Sequence, residues 1–574
     1  MLLALQLLLL FLAPAALASR GPRRSTFDPR PIYHLTYDAA DSGNFSDPPA
    51  FTAHANRSFM NDPNGLLVYG GRYHVFGQWG EHGHAGAAWL HAVSSDGATW
   101  TQLPPAIVAG RNGSTSGAVG TEWDAGGVYS GHAMVVDGRP VLVYCALDGK
   151  LGKRRRTVAW AQAKDPSDTL LLEWEKLEFQ PWINASLHDP AVYCDPLTFQ
   201  SATGDQMVGA IVRDRRSQAI TSWRIDSLHS EPIPTGVVYN LGVECLCPDL
   251  AHYGNGVWGA KCLTKCTIPA GANQRQSEIG CDIFSLGTMK SNKFIPAKPL
   301  PTVADAFPVF DHGKVAGSAQ TVRDEAKNRT LLWQVLGEGD CLPNQRNCSG
   351  PQPHELRSWE GVQTLPRVVW PSDACAMSVA ADDCTLLVRC APEIDKLITW
   401  RKNATVTSRS EPALITIPAS EGPNNIKVHA QWPRGFAGSK DVDLAMEAFA
   451  GGPVVRIALR GGTLTVGPTW RTSAGHTPTP QVYENLTCTL SPSALAEHSV
   501  IEVFLDSSVL EVFSDTGHCA IATRVYGHHP GEGTGGDDDA TSRAVTLRGE
   551  VGVMLGVYGM SAAYTDYLPP AQAS

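Results

Sequence analysis

The residues of this chain best suited to chemistry lie in one short stretch, Phe59-Met60-Asn61-Asp62-Pro63-Asn64-Gly65. Asp62 stands there between two amide side chains. Pro63 fixes the backbone beside it, and Asn64-Gly65 supplies turn chemistry ahead of the apolar run Leu66-Leu67-Val68-Tyr69. A chain built this way holds an acid rigidly at the end of a strand, and a fixed carboxylate is what a covalent or proton-transfer step needs. The same residue types dominate ordinary surface turns, and composition alone favours that plainer reading.

The elements that must position Asp62 read as strand after strand. Arg72 to Gly77, Trp89 to Val93, His132 to Val136 and Pro140 to Tyr144 are short, aromatic and β-branched, with Asp-Gly turns at Asp96-Gly97 and Asp137-Gly138. Long amphipathic helical repeats are absent from the sequence, so an all-β architecture of the propeller or sandwich kind is expected. The texture changes between Pro371 and Asn424. Beyond it, Asp441 to Phe449 and Val500 to Leu505 alternate between apolar and polar residues, which predicts an antiparallel sheet with one wet face. The Gly-rich segment from Pro530 to Thr541, with Asp537-Asp538-Asp539, reads as a hairpin loop rather than a calcium site.

At 574 residues the chain is too long for a single core. A net charge of -10 with a pI near 6.0 leaves no basic footprint for nucleic acid. The basic run Lys153-Arg154-Arg155-Arg156 reads as a solvated loop between strands. Leu2 to Leu12, followed by small residues to Ala18, has the form of a signal peptide, with a retained signal anchor as the alternative. No later stretch is long and apolar enough to suggest another membrane attachment. Asn-x-Ser/Thr acceptors at Asn44, Asn56, Asn112, Asn184, Asn328, Asn347, Asn403 and Asn485 fit the same secretory route. The 14 cysteines lack zinc-site spacing, so disulfides are expected. Cys488 and Cys519, which alone lie beyond Cys390, are expected to pair with each other.

Beyond these features, the chain resembles glycoside hydrolase family thirty-two, the invertases and fructan hydrolases. The resemblance begins at the Asp62 stretch, where Phe59 replaces the family's usual Trp. It continues through Tyr73-His74-Val75-Phe76 with Gln78, Trp89-Leu90-His91-Ala92-Val93-Ser94 and Tyr129-Ser130-Gly131. It then takes in Asp311-His312-Gly313, Gly361 to Arg367, and Phe504 to Phe513 with Arg524-Val525-Tyr526. It implies a five-bladed β-propeller holding the active site, followed by a C-terminal β-sandwich. The corresponding boundaries are 1–18 for the signal peptide, 45–395 for the propeller, 396–424 for a linker and 425–574 for the sandwich. It further implies hydrolysis of terminal β-fructofuranosyl linkages, in sucrose or a related fructoside, with retention of configuration.

Retaining hydrolysis needs one carboxylate to attack and one carboxylic acid to protonate the leaving oxygen. The resemblance carries the nucleophile to Asp62 and the acid/base to Glu244, in Val243-Glu244-Cys245-Leu246-Cys247-Pro248-Asp249. The family has Glu-Cys-Pro-Asp without interruption, and an ungapped match would put Leu246 in the acid position. A third carboxylate, carried over from an Arg-Asp-Pro motif, falls on Asp195 or, with a longer turn, on Asp189. Either choice loses the arginine. Phe59, Asn61, Gln78, Trp89 and Ser130 are the expected sugar-binding groups. Two-carboxylate chemistry implies no metal and no organic cofactor.

Overall fold

The computed structural model describes residues 31–35 and 58–567, apart from 82–83, 111–121, 149–155, 178–182, 185–191, 202, 215–216, 269–276, 314, 338–358, 419–420, 422–424, 434–435, 437–439, 448–453, 468, 472–480, 484 and 526–541. The expected signal peptide, Asp189 and the Asp537-Asp538-Asp539 loop lie outside the described residues. No helix among the described residues is long and apolar enough to cross a membrane.

Five antiparallel sheets follow one another along the first two thirds of the chain. Blade 1 runs Ser58–Tyr69, Arg72–Glu81, His84–Ser94 and Trp100–Val108; blade 2 runs Gly127–Val136, Arg139–Leu147, Arg156–Ala163 and Trp174–Lys176. Blade 3 comprises Val192–Gln200, Gln206–Asp214, Ser217–Ile225 and Ile233–Tyr239. Blade 4 comprises Leu246–His252, Trp258–Ile268, Ser277–Lys290 and Lys293–Pro296. Blade 5 is built on Ala316–Asp324, Arg329–Leu336, Arg367–Pro371 and Leu386–Cys390. The first strand of each blade touches the first strand of the next, and that of blade 5 touches that of blade 1, so five innermost strands close a ring. This is the expected five-bladed propeller.

Two six-stranded sheets make the sandwich. One is ordered Ile398–Thr405, Met554–Met560, Asn425–Gln431, Val500–Asp506, Val509–Ser514, Ala520–Arg524. The other is ordered Ala413–Pro418, Ser542–Gly549, Val442–Glu447, Val454–Arg460, Thr463–Gly467, Leu486–Thr489. Val428, Val503, Ile457, Val545 and Leu555 fill the space between them. The second sheet alternates buried and wet residues as its sequence predicts. The first does not, because Val509–Ser514 is buried along its whole length. Phe504, Phe513 and Ala520 on its outer face join the blade 5 cluster of Val369, Leu386 and Val388, so the propeller covers the face that would otherwise be wet.

Two expected boundaries need correcting. The segment 396–424, read as a linker, supplies the edge strands Ile398–Thr405 and Ala413–Pro418 of the two sandwich sheets. Its mixed polarity reflects edge strands with one exposed face, not absence of structure. The chain also leaves the sandwich before its end: Tyr564–Tyr567 adds in parallel to the outer strand of blade 1.

A buried ionic network joins the two domains. Arg367, on blade 5, donates to Glu511 Oε2 at 2.6 and 3.1 Å, and to Asp311 Oδ2 at 2.7 Å. Glu511 Oε1 in turn accepts from the Leu365 amide at 2.8 Å and lies 2.9 Å from His34 Nε2, whose Nδ1 is 2.9 Å from Asp506. Asp506 also accepts the amides of Ile32, Tyr33 and His34, which ties the N-terminal segment to the sandwich. Asp311 binds the amides of Gly313 and Ala522, and a Cβ on Gly313 would lie 1.7 Å from the Ala522 carbonyl, so only glycine permits this approach. Burial pushes Glu511 up, but the Arg367 charge and the His34 and Leu365 bonds outweigh it and hold the carboxyl at about 2. Burial pushes His34 down, but its bonds to Asp506 and Glu511 outweigh it and raise the imidazole.

These shifts fix a pH window. The stabilisation from Glu511 is present above its ordinary value of 4.5 and lost as pH falls toward about 2. That from His34 is present below its ordinary 6.5 and lost as pH rises through its raised folded value. In unfolding followed against pH, the contribution of this network should therefore be level between these ordinary values, and the stability difference between the parent and His34→Gln should shrink as pH rises through the raised folded value of His34. Glu511→Ala strands a buried guanidinium and is expected to lower stability by about 3–5 kcal/mol in denaturant titration.

Candidate active site

Each innermost strand breaks register with its neighbour at least once, and those of blades 1 and 3 do so twice. One break in each strand falls, in blade order, between Met60 and Pro63, Tyr129 and Gly131, Cys194 and Leu197, Leu246 and Asp249, and Gly317 and Gln320. They contain Asp62, Ser130, Asp195, Cys247 and Ser318, one residue from each blade. A bulge re-aims the side chain it contains. Three of the five residues, Asp62, Asp195 and Cys247, are followed directly by proline, which cannot donate to a ladder and so favours a break there. Asp195, Cys247 and Ser318 have φ of 48°, 41° and 56°. Non-glycine residues in this region cost of order 1–3 kcal/mol each and cluster at functional sites.

The five side chains meet around one carboxylate. Asp62 Oδ2 accepts from Ser130 Oγ at 2.8 Å, from Gln78 Nε2 at 3.0 Å and from Cys247 Sγ at 3.6 Å, and Ser318 also bonds Asp62. Gln78 Nε2 lies 2.7 Å from Ser130 Oγ as well, which locks the donors together. Cys247 bridges to the second acid, its amide donating to Asp195 Oδ2 at 3.2 Å. Burial raises the Asp62 carboxyl despite the bonds from Ser318, Ser130 and Cys247 and the charge of Lys261. Asp195 is likewise raised, by burial first; the Cys247 amide opposes that and the Asp62 charge adds to it. Burial and the two carboxylates push the Cys247 thiol well above its ordinary value, so it stays a neutral donor and a poor nucleophile.

Lys261, from the second strand of blade 4, holds two of the bulges in place. Its Nζ donates to the carbonyls of Cys247 and Ala319, both at 2.7 Å, and pairs with Asp282 at 2.8 Å. Asp249, two residues after Cys247, accepts from the amide and hydroxyl of Thr321 at 2.9 and 2.8 Å, joining blades 4 and 5. Asn64, fully buried, accepts the Gly131 amide at 3.3 Å and so ties the Asp62 strand to the Ser130 bulge.

The structure thus brings Asp62, Gln78, Ser130 and Asp195 together, with Asn61 half-buried beside Asp62. The Asn64-Gly65 turn chemistry proves to be a second bulge within one long strand, with Gly65 at φ 55°. The Phe59 side chain lies outside the described residues. Trp89 is not a sugar platform: it is fully buried against Phe76 and Tyr144, and its Nε1 donates to the Tyr129 carbonyl at 3.0 Å, behind Ser130. Glu244 departs furthest from expectation. It is exposed on the link into blade 4, and among the described residues no hydrogen bond joins it to Asp62 or Asp195. Its neighbour Cys245 is buried in a disulfide with Cys262 and its amide bonds Gln218, which turns residue 244 outward. The strand position before Cys247 is held by Leu246, opposite Leu263.

Sequence reasoning missed Cys247, Ser318 and Lys261 as site residues. Cys-Pro at 247 carried the same signal as Asp-Pro at 62 and 195; Ser318 and Lys261 carried none. The expected Cys488–Cys519 disulfide is present, and Cys145–Cys194 staples blade 2 to the strand of Asp195.

Because the folded Asp62 carboxyl sits above its ordinary value, its stabilising effect is present at acid pH and lost as pH rises through the folded value. Asp62→Asn should therefore raise the Tm at neutral pH, with the gain shrinking as pH falls through the raised folded value and vanishing below the ordinary carboxyl value. Calorimetry at several pH values measures this directly. A gain that grows toward acid pH would contradict the assignment. The native Cys247 thiol should resist alkylation at pH 8 and become reactive only on unfolding, read by mass spectrometry of labelled peptides.

The chain matches the model of the Glycosyl hydrolases family 32 N-terminal domain over residues 53–378, more than half its length. It is 29% identical over 340 residues to an insoluble isoenzyme of beta-fructofuranosidase from Arabidopsis thaliana, covering 55% of this chain and 52% of that protein. To sucrose:sucrose 1-fructosyltransferase of Festuca arundinacea it is 26% identical over 422 residues, covering 68% and 57% of the two chains. The chain thus aligns with only about half the length of the curated relatives it matches. Among solved structures, the GH32 beta-fructofuranosidase of Bombyx mori superposes with a TM-score of 0.64 at 18% identity, over 94% of this chain and 95% of that one. Fructan 1-exohydrolase IIa from Cichorium intybus gives 0.64 at 17% identity, over 94% and 99%. With the propeller, the five convergent bulges and the family match in agreement, this chain belongs to glycoside hydrolase family 32.

Proposed function

We propose that the protein is a retaining glycosidase that releases terminal β-D-fructofuranosyl units from sucrose or a related fructoside. The observation that carries this reading is Asp62: a buried carboxylate, held by Ser130, Gln78, Ser318 and Cys247 from four directions, is fixed for attack on an anomeric carbon. Asp62 forms the covalent glycosyl intermediate, and Asp195, across Cys247, accepts hydroxyls of the fructosyl ring and stabilises the charge that develops on it. Glu244 protonates the leaving oxygen. Cover by the bound leaving group supplies the desolvation a general acid needs. Names of relatives that include fructan exohydrolase and fructosyltransferase keep those two activities within the reading. The signal-peptide pattern and the exposed acceptors Asn328, Asn403 and Asn485 support a secreted glycoprotein.

A second reading rests on one observation. Leu246 holds the strand position before Cys247 while Glu244 is exposed, which favours a relative that binds fructosides without cleaving them. Incubation of the purified protein with sucrose and with 1-kestose separates the two. Release of fructose, initially as the β-anomer by NMR, supports the hydrolase, whereas binding without release supports the silent relative. In the hydrolase, Asp62→Ala should reduce kcat by roughly four orders of magnitude or more while the fold persists. Glu244→Gln should slow sucrose far more than an aryl fructoside with a good leaving group. Equal rates for the variant and the parent on sucrose would remove Glu244 from the mechanism.

A further inference from the structure

The third strand of blade 2 opens on Arg156, which is exposed. That strand is antiparallel to Arg139–Leu147, itself antiparallel to Gly127–Val136, so Arg156 lies at the end of the blade where the innermost strand begins. Ser130 and Asp195 fall in the first half of their strands, at the same end. Two links bring Arg156 close to Asp195. Cys145, whose register partner Val158 lies two residues from Arg156, is disulfide-bonded to Cys194. The Thr157 carbonyl is 3.6 Å from Cys194 Sγ. Arg156 and Asp195 are therefore each one residue from a pair in direct contact.

Among the described residues, the charges of Asp62, Arg156 and Lys261 act on Asp195, and the Cys247 amide is bonded to it. Lys261 is buried and spends its donors on two carbonyls and Asp282, so it cannot reach a ligand. Arg156 stands at the surface with a guanidinium that carries five donors in a planar fork. Burial raises the Asp195 carboxyl, and the charge of Arg156 is among the effects that oppose it.

We propose that Arg156 is a substrate-binding residue whose guanidinium, next to the Asp195 carboxylate, forms a donor–acceptor pair for neighbouring hydroxyls of the fructosyl unit. The cation comes from blade 2, while the carboxylate it serves comes from blade 3. The inference rests on the fructoside reading of the site.

Arg156→Gln and Arg156→Lys test it, with sucrose kinetics, fructose affinity by calorimetry and Tm measured together. Arg156→Gln is expected to raise the KM for sucrose and the Kd for fructose about tenfold or more, the scale of a lost charged hydrogen bond. It should also move the acid limb of kcat/KM to higher pH, because Asp195 loses a charge that favours its ionised form. Arg156→Lys should restore the acid limb but not the affinity, since an ammonium keeps the charge without the fork. Unchanged affinity and an unchanged acid limb in Arg156→Gln would overturn the proposal. If the parent binds fructose but cleaves no fructoside, the hydrolase reading falls and the fructose Kd alone decides for or against Arg156. A parent that binds no fructose overturns both.

Discussion

Everything at the centre of this molecule follows from placing Asp62 and Asp195 on either side of Cys247 in a ring of five strands. Two carboxylates withdrawn from water repel their own ionised forms, and burial drives both upward. The chain answers with donors aimed at Asp62 from blades 1, 2, 4 and 5 and with the charge of Lys261. Among the described residues, no arginine or lysine bonds Asp62 directly. A paired cation there would have lowered the Asp62 carboxyl far more and occupied the oxygens that substrate must approach. Lys261 instead acts at one remove, through the carbonyls of Cys247 and Ala319.

That arrangement depends on broken ladders. A regular strand alternates its side chains between faces and pairs every backbone group, so it cannot turn an acid toward the ring axis without interruption. Each innermost strand gives up register at its site residue, and three adopt a left-handed conformation at that point. At the breaks, side chains from other blades bond across: Asn64 with the Gly131 amide, Gln320 of blade 5 with the Gly131 carbonyl of blade 2, and Asp249 with Thr321. The blades are thus coupled through the strained residues themselves, and disturbing one bulge is felt in its neighbours.

The sandwich is held to the propeller by different physics. Arg367, Glu511, Asp311, His34 and Asp506 form a chain of charges with little or no contact with water. Such a network adds less net stability than an apolar interface of the same size, but it tolerates only one geometry, because any misalignment leaves a buried charge unpaired. Its effect here is to fix blade 5, and with it the Ser318 bulge, against a rigid sheet. The alternation expected for a free sheet is absent from Val509–Ser514 for the same reason: one face packs on the sandwich core and the other on the propeller.

Much of this was legible along the chain. Strand lengths, turn residues and alternation specify an all-β protein, and Asp62-Pro63 announces a carboxylate at a break in a strand, because proline removes a ladder donor wherever the register lies. Those are local properties, set by a few adjacent residues. What only the tertiary structure decided is which side chains share the space around Asp62. Glu244 is turned to solvent because Cys245 is tied to Cys262; Cys247 is turned inward by a bulge; Lys261, Ser318 and Asn64 enter from three different blades. The segment 396–424 looks like a linker until its partners, more than a hundred residues away, complete the sheets. Sequence order carries the chemistry of each residue, but closure of the ring sets their distances, and no short stretch of chain contains that information.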